Sequence, residues 1–265
     1  MYSKPQLLLK YFQYYFTASN SKGHGMHSPF VFDFITKILN DKTVYPEYRK
    51  VEALRDQLLN DTAVLEVEDL GAGSAVNKKD RRSISSIAKS AAKPEKFGQL
   101  LFRMVRYYQP NTILELGTSL GITTSYLSLA KQEARTITME GSKEISEVAK
   151  QNFQKFELKN TELVEGNFDN TLLSVVRGLS SVDFSFIDGN HRQEPTERYF
   201  QELLAKTNNN SILVFDDIHW SSEMEAAWKT IKDNAAVSCS IDLFFIGLVF
   251  FRKEFKEKQH FVIRF

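Results

Sequence analysis

The chain has 265 residues, 42% hydrophobic and 25% charged, proportions of an ordinary folded protein that exclude disordered, collagen-like and disulfide-scaffold classes. Its 34 Lys and Arg nearly balance 33 Asp and Glu, which leaves no field for gripping a nucleic-acid backbone along its length. A single cysteine, Cys239, cannot form an internal disulfide and fits a reducing compartment.

The run Leu7-Leu8-Leu9 is cut by Lys10 and Gln13. It falls well short of the roughly 20 apolar residues a membrane span needs. The expectation is a soluble, cytoplasmic protein with neither a nucleic-acid nor a membrane partner. Residues 1–94 read as helices and loops. Ser28 and Pro29 open a helix whose apolar side chains fall at Phe30, Val31, Phe34, Ile35, Ile38 and Leu39, a stripe of period about 3.6. Tyr48 to Leu59 gives a second, weaker helix through Val51, Leu54 and Leu58, and the polar, basic stretch from Ser74 to Lys93 is a loop or a short helix.

From residue 95 the rhythm changes. A helix with Phe97, Leu100, Leu101, Met104, Val105 and Tyr108 on one face stops at Pro110. Short apolar runs follow at 112–116, 136–139, 162–164, 183–187 and 211–215, separated by amphipathic stretches around 124–131, 144–156, 171–178, 196–206 and 223–234. Strands alternating with helices predict a parallel sheet covered on both faces. Two further strands, 240–252 and 260–265, are joined by a short charged linker and are expected to pair as an antiparallel hairpin. The fold class is therefore α/β: a Rossmann-like, seven-stranded, mostly parallel sheet with a terminal antiparallel hairpin, over residues 95–265, plus an N-terminal helical region over 1–94.

The first strand of that sheet runs Ile113-Leu114-Glu115-Leu116-Gly117-Thr118-Ser119-Leu120-Gly121 straight into a helix. Glycine lets a backbone turn sharply and approach a ligand, and the helix N-terminus behind it offers unpaired N–H groups. Ser119 stands where the second glycine of a dinucleotide-binding G-x-G-x-x-G would be, so no pyrophosphate is expected here. The next strand ends at Glu140, placed to accept hydrogen bonds from both hydroxyls of a ribose. At the carboxyl ends of the fourth and fifth strands stand Asp188-Gly189-Asn190-His191 and Asp216-Asp217-Ile218-His219-Trp220, two clusters of carboxylates and imidazoles that packing alone explains poorly.

The glycine turn from Glu115 to Gly121, the acid at Glu140 and the terminal hairpin resemble the class I S-adenosylmethionine-dependent methyltransferases. The Glu-Leu-Gly-Thr-x-x-Gly form is similar to small-molecule O-methyltransferases of the catechol and caffeoyl-CoA type, and the two acid–histidine clusters resemble a broader bacterial branch. The resemblance spans roughly residues 95–265. It implies that Glu115, Gly117, Thr118, Ser119 and Gly121 line the methionine moiety, that Glu140 with Gly141 and Ser142 holds the ribose, and that Asn167 and Phe168 meet the adenine. Asp188 lies at the reacting end of the cofactor. Metal-dependent members bind Mg²⁺ through acids that match Asp188, Asp216 and Asp217. Two departures stand out: Asp217 replaces an amide, and His191 stands where a lysine is common. An imidazole is a suitable base near pH 7, so two routes stay open, one through Mg²⁺ and one through a His–Asp pair unaided. Catalytic roles fall to Asp188, His191 and His219.

The implied activity is O-methylation of a small-molecule hydroxyl by direct in-line transfer; N-methylation, a macromolecular acceptor and a non-catalytic binding protein of the same fold are the alternatives. Two other segments qualify as loops near a site. Gly23-His24-Gly25-Met26-His27-Ser28-Pro29-Phe30 carries two histidines without further metal ligands. Glu68-Asp69-Leu70-Gly71-Ala72-Gly73-Ser74 imitates a glycine turn but lacks a following apolar helix and acid-ended strand. Phe, Tyr and Trp make 12% of the chain, and Tyr11, Phe12, Tyr14, Tyr15, Phe16, Phe30, Phe32 and Phe34 are more aromatic surface than a small helical unit buries alone. They are expected to pack on the catalytic domain as a roof or on a second subunit as a homodimer.

Overall fold

The computed structural model describes residues 1–68, 79–91 and 93–265. In chain order the elements are α1 (Lys4–Thr17), α2 (Pro29–Asp33) running into a π-helical turn (Phe34–Leu39), α3 (Pro46–Leu59), β1 (Val64–Glu68), β2 (Lys79–Ser83), α4 (Ile84–Ala91) and α5 (Glu95–Tyr108). Then come β3 (Thr112–Leu116), α6 (Ile122–Ala130), β4 (Arg135–Glu140), α7 (Lys143–Lys155), β5 (Thr161–Glu165) and α8 (Phe168–Arg177). The last are β6 (Phe184–Ile187), α9 (Gln193–Leu204), β7 (Ile212–Asp216), α10 (Ser222–Asp233), β8 (Cys239–Asp242), β9 (Ile246–Phe250) and β10 (Gln259–Val262). Eight of the strands form a mostly parallel central sheet, the Rossmann-like α/β class the alternation predicts. None of the described helices is long and apolar enough to cross a membrane.

The chain divides into two compact units, residues 41–171 and residues 1–40 with 172–265. The expected boundary at residue 94 falls inside the first. In that unit β4 lies between β3 and β5, both parallel to it, with Leu116 opposite Met139 and Glu140 opposite Glu165. Helix α5 buries Phe97, Leu100, Leu101, Met104 and Val105 and ends on Gln109, which takes a left-handed φ of 53° just before Pro110. A separate antiparallel pair, β1 with β2, is an addition the sequence reading did not foresee, and α4 takes up part of the stretch left there as loop or helix. The second glycine turn, from Asp69 to Ser74, lies outside the described residues.

In the other unit the strand order is β10-β8-β9-β7-β6. The strands β6 and β7 are buried along their whole length, which explains their unbroken apolar sequence. The terminal hairpin differs from expectation in its residues. The apolar stretch 240–252 breaks at Leu243-Phe244-Phe245: Phe244 adopts φ 69° and its N–H donates to Asp242 Oδ1 at 2.8 Å, an Asx turn that closes β8 onto β9. Since β9 then has β7 on one side and β8 on the other, β10 takes the remaining edge of β8, in parallel rather than as the hairpin partner. A bridge from Ser19 to Ile263 continues that edge.

Helix α1 starts with Gln6 accepting the Ser3 N–H at 2.9 Å and Pro5 in its first turn. Its inner face buries Tyr14, with Tyr11 and Leu7 packed beside it, against Phe244 and Phe245. Phe30 stacks edge-on against Phe250 and Phe255, and Phe34 is fully buried. Only part of the aromatic set packs this way: Phe12, Tyr15, Phe16 and Phe32 are exposed, as are Leu8 and Leu9 beside them.

Candidate functional site

In the unit of residues 41–171 the parallel register of β3 and β4 sets the glycine turn beside the acid. The amides of Gly117 and Thr118 both donate to Met139 O, at 3.0 Å each. The turn is left-handed at Gly117, Ser119 and Gly121, with φ of 101°, 47° and 81°. A Cβ at Gly121 would stand 2.5 Å from the Phe153 ring, so conformation and space both demand glycine there. Glu140 closes the arrangement: one carboxylate oxygen accepts the Ser119 N–H at 2.8 Å and the other accepts the Ser142 N–H at 3.0 Å. A carboxylate clamped in this way between two turns is fixed in orientation without any ligand.

Glu115 is fully buried beneath that turn. Its Oε2 accepts the hydroxyls of Thr124 on α6 and Thr138 on β4, the second at 2.6 Å. Because the Thr138 hydrogen points to Glu115, the 2.6 Å contact between the Thr118 and Thr138 hydroxyls has Thr118 as donor. These bonds make Glu115 the anchor that ties the turn to its strand and helix. Leu120 is pinned from the other side, its carbonyl accepting from Asn152 Nδ2 at 3.0 Å. Asn167 uses its Oδ1 to accept the Asp169 N–H at 2.9 Å, an N-cap on α8 that puts Phe168 at the first position of that helix.

The acid–imidazole group belongs to the other unit. Parallel pairing sets Ile187 opposite Phe215, so the next residues, Asp188 just past β6 and Asp216 at the last position of β7, stand at the same level. Asn190 and His191 follow with left-handed φ of 66° and 40°, and the His191 N–H donates to Gly189 O at 2.9 Å. This tight turn, pinned by Asn190 Nδ2 donating to Tyr199 Oη at 3.2 Å, brings His191 Nε2 to 3.3 Å from Asp188 Oδ1. Side-chain atoms of Asp188, His191 and Asp216 all lie within 4.8 Å of one another. Asp216 is buried, whereas Asp188 and His191 are partly open to solvent. A buried carboxylate beside a second carboxylate and an imidazole favours positive charge among them, whether on a proton or a cation. Asp217 does not join this group of possible ligand atoms.

His219 is placed differently from its expected catalytic role. Its Nδ1 lies 3.0 Å from Glu225 Oε1 and its Nε2 lies 2.8 Å from Asp242 Oδ2, so both ring nitrogens are committed to carboxylates. An imidazole held at both ends has neither a lone pair nor a proton to offer an acceptor. Burial by itself would lower its pKa; Asp242 and Glu225 outweigh that and hold it above the ordinary histidine value. The ring also stacks on Phe244, with centroids 5.2 Å apart. Sequence reasoning missed Glu225 and Asp242 because nothing local marks them: one looks like a helix-surface acid and the other like a strand end. His24 and His27 are exposed and belong to no metal-ligating group among the described residues.

Residues 114–218 match the family described as methyltransferase domain. The O-methyltransferase TomG of Streptomyces achromogenes, involved in tomaymycin synthesis and solved with S-adenosylmethionine, is 19% identical; the match covers 61% of this chain and 82% of TomG with a TM-score of 0.53. The methyltransferase PaMTH1 of Podospora anserina, bound to S-adenosylhomocysteine, is 13% identical over 85% of this chain and 97% of its own, with a TM-score of 0.60. An O-methyltransferase of Bacillus cereus, also with S-adenosylhomocysteine, is 16% identical over 82% of this chain and 96% of its own, with a TM-score of 0.56. At such identities the likeness is one of fold. No curated protein is significantly similar in sequence.

Proposed function

We propose that this chain, which carries a methyltransferase domain and the class I methyltransferase fold, moves a methyl group from S-adenosylmethionine to the hydroxyl oxygen of a small molecule. The observation that carries the reading is the convergence of Asp188, His191 and Asp216 at the carboxyl ends of β6 and β7, the sheet edge where such folds do their chemistry. S-adenosylmethionine fits the preset groups of the other unit. Glu140, already oriented by two backbone N–H groups, takes the ribose hydroxyls; the Gly117–Gly121 turn takes the methionine part, and Asn167 with Phe168 meets the adenine.

His191 removes the proton from the acceptor hydroxyl as that oxygen attacks the methyl carbon in line with the departing sulfur. One O–C bond forms, one C–S bond breaks, and the imidazolium that results is stabilised by Asp188 at 3.3 Å. The sulfonium supplies an already activated methyl group, so holding the two reactants in line contributes most, on the order of 7–11 kcal/mol. The base adds a further factor of about 10²–10⁴. The donor set of two carboxylates and an imidazole also fits a divalent cation, which would polarise the acceptor oxygen; Asp188, His191 and Asp216 are the residues that would hold it.

Two measurements test the reading. Calorimetry should show S-adenosylhomocysteine binding, and its absence at millimolar ligand would sink the proposal. A panel of catechol, phenol and sugar acceptors with radiolabelled methyl donor, run with and without a chelator, should show transfer to oxygen and reveal whether turnover needs a cation.

A further inference from the structure

We infer that His219 is a positioning residue: it holds the turn that carries Asp216 and Asp217, and through Glu225 it makes the N-terminal helix α1 part of that support. The inference rests on the reading of Asp188, His191 and Asp216 as the acceptor-activating group.

Asp217 stands at φ 52°, in the left-handed region that aspartate enters more readily than most side chains, and its neighbours fix it there. Its N–H donates to Phe245 O at 2.7 Å, and its carbonyl accepts the Trp220 N–H at 2.9 Å. The turn opposite it is also left-handed, at a bulky residue that seldom adopts that conformation, with Phe244 at φ 69°. Asp242 braces both turns with one side chain. Its Oδ1 accepts the Phe244 N–H at 2.8 Å, while its Oδ2 stands 2.8 Å from His219 Nε2. The His219 ring, stacked on Phe244, is thus the only side chain among the described residues that bridges the carboxylates of Asp242 and Glu225.

Glu225 carries the support on to α1. Its two oxygens accept from Lys10 Nζ at 2.9 and 3.0 Å and from the Tyr2 hydroxyl at 2.7 Å. The Tyr2 backbone N–H donates to Trp220 O at 3.0 Å, so the start of the chain grips the same turn directly. Residues 1–10 therefore touch the segment just after Asp216 at two points, one through backbone and one through Glu225. A surface helix with no role in the reaction has no reason to be tied to that one turn by a half-buried histidine with a carboxylate on each side.

The experiment needs no acceptor. In full-length His219→Ala, hydrogen exchange should quicken together in the peptides covering 214–221 and 2–12, while 112–121 keeps its wild-type rate. The ¹H–¹³C resonance of the His191 ring should shift, because Asp216 moves relative to it. His219→Gln, which keeps a donor toward Asp242, should restore most of the protection at 214–221. If the His191 resonance of His219→Ala is unmoved, or if 214–221 keeps its protection while only 2–12 loosens, His219 merely anchors a helix and the inference falls. Absence of S-adenosylhomocysteine binding in the wild type strikes the functional reading instead and leaves these exchange results to stand by themselves.

Discussion

The two halves of this protein build their polar groups by opposite means. In residues 41–171 the candidate groups come from short stretches, 115–121, 140–142 and 167–168, and their supports come from the adjoining strand, turn and helix, no more than 23 positions away: Thr124 and Thr138 hold Glu115, and Ser119 and Ser142 hold Glu140. In residues 1–40 with 172–265 the supports come from far along the chain, as with Tyr2 and Lys10 bound to Glu225 across 223 and 215 positions. A nucleotide-type crevice at a parallel sheet edge is nearly a local property, because strand, turn and helix follow one another in sequence. A cluster of acids and imidazoles is a tertiary property, and its geometry depends on whatever braces the loops.

That contrast predicts separable defects. The largest belongs to His191→Ala: turnover should fall by about 10²–10⁴-fold while S-adenosylhomocysteine affinity stays within about twofold. Comparable losses in both would show that the halves are not functionally distinct. Gly121→Ala should do the reverse. Its Cβ is driven to 2.5 Å from Phe153 at a φ of 81°, so a loss of about 2–4 kcal/mol in stability is expected, with cofactor affinity reduced in parallel. Chemical denaturation and calorimetry on the same preparation measure both. Next comes Thr138→Val, close to isosteric, which takes one donor from the buried Glu115 and should cost about 1–3 kcal/mol. An unchanged denaturation midpoint would mean that Glu115 does not need that hydroxyl.

The same contrast explains what was legible in the sequence. The strand at 112–116, the turn to Gly121 and the acid at Glu140 follow from glycine chemistry and apolar runs, and the structure has these elements where expected. The terminal strands were harder: Leu243-Phe244-Phe245 is apolar and looks like continuous strand, yet the carboxylate of Asp242 turns the backbone there. The helix at Lys4–Thr17 was masked by its own composition. Apolar residues occupy both its inner face, with Tyr11 and Tyr14, and its outer face, with Leu8, Phe12 and Phe16, so no amphipathic stripe marks it. His219 was legible as an unusual residue but not in its role, because its partners, Glu225 on α10 and Asp242 at the end of β8, read in sequence as an ordinary helix acid and a strand end.

The smallest expected effect is a pH dependence confined to the second half. His219 is held above its ordinary pKa by Asp242 and Glu225, against the opposing effect of burial. Protonation therefore favours the folded state: the contribution is fully present below the unfolded value of about 6.5 and is lost as pH rises through the higher folded value. Glu225 works in the other direction. Burial would raise its pKa, but Lys10, Tyr2 and His219 pull it below the usual carboxylate range, so its contribution is kept above the unfolded value and lost as pH falls through the folded one. Between these limits Lys10, Glu225, His219 and Asp242 form an alternating chain of charges, and the attachment of α1 should be strongest there. A partly exposed pair of this kind is worth about 1 kcal/mol or less, or roughly 2–4 °C in Tm for a chain of this size. Thermal melts from pH 5 to 9 should show wild type exceeding His219→Gln by its widest margin below about pH 6.5, with the gap narrowing as pH rises. A gap that widened toward alkaline pH would mean that the imidazole is neutral in the folded protein, held by one donated hydrogen bond rather than by charge.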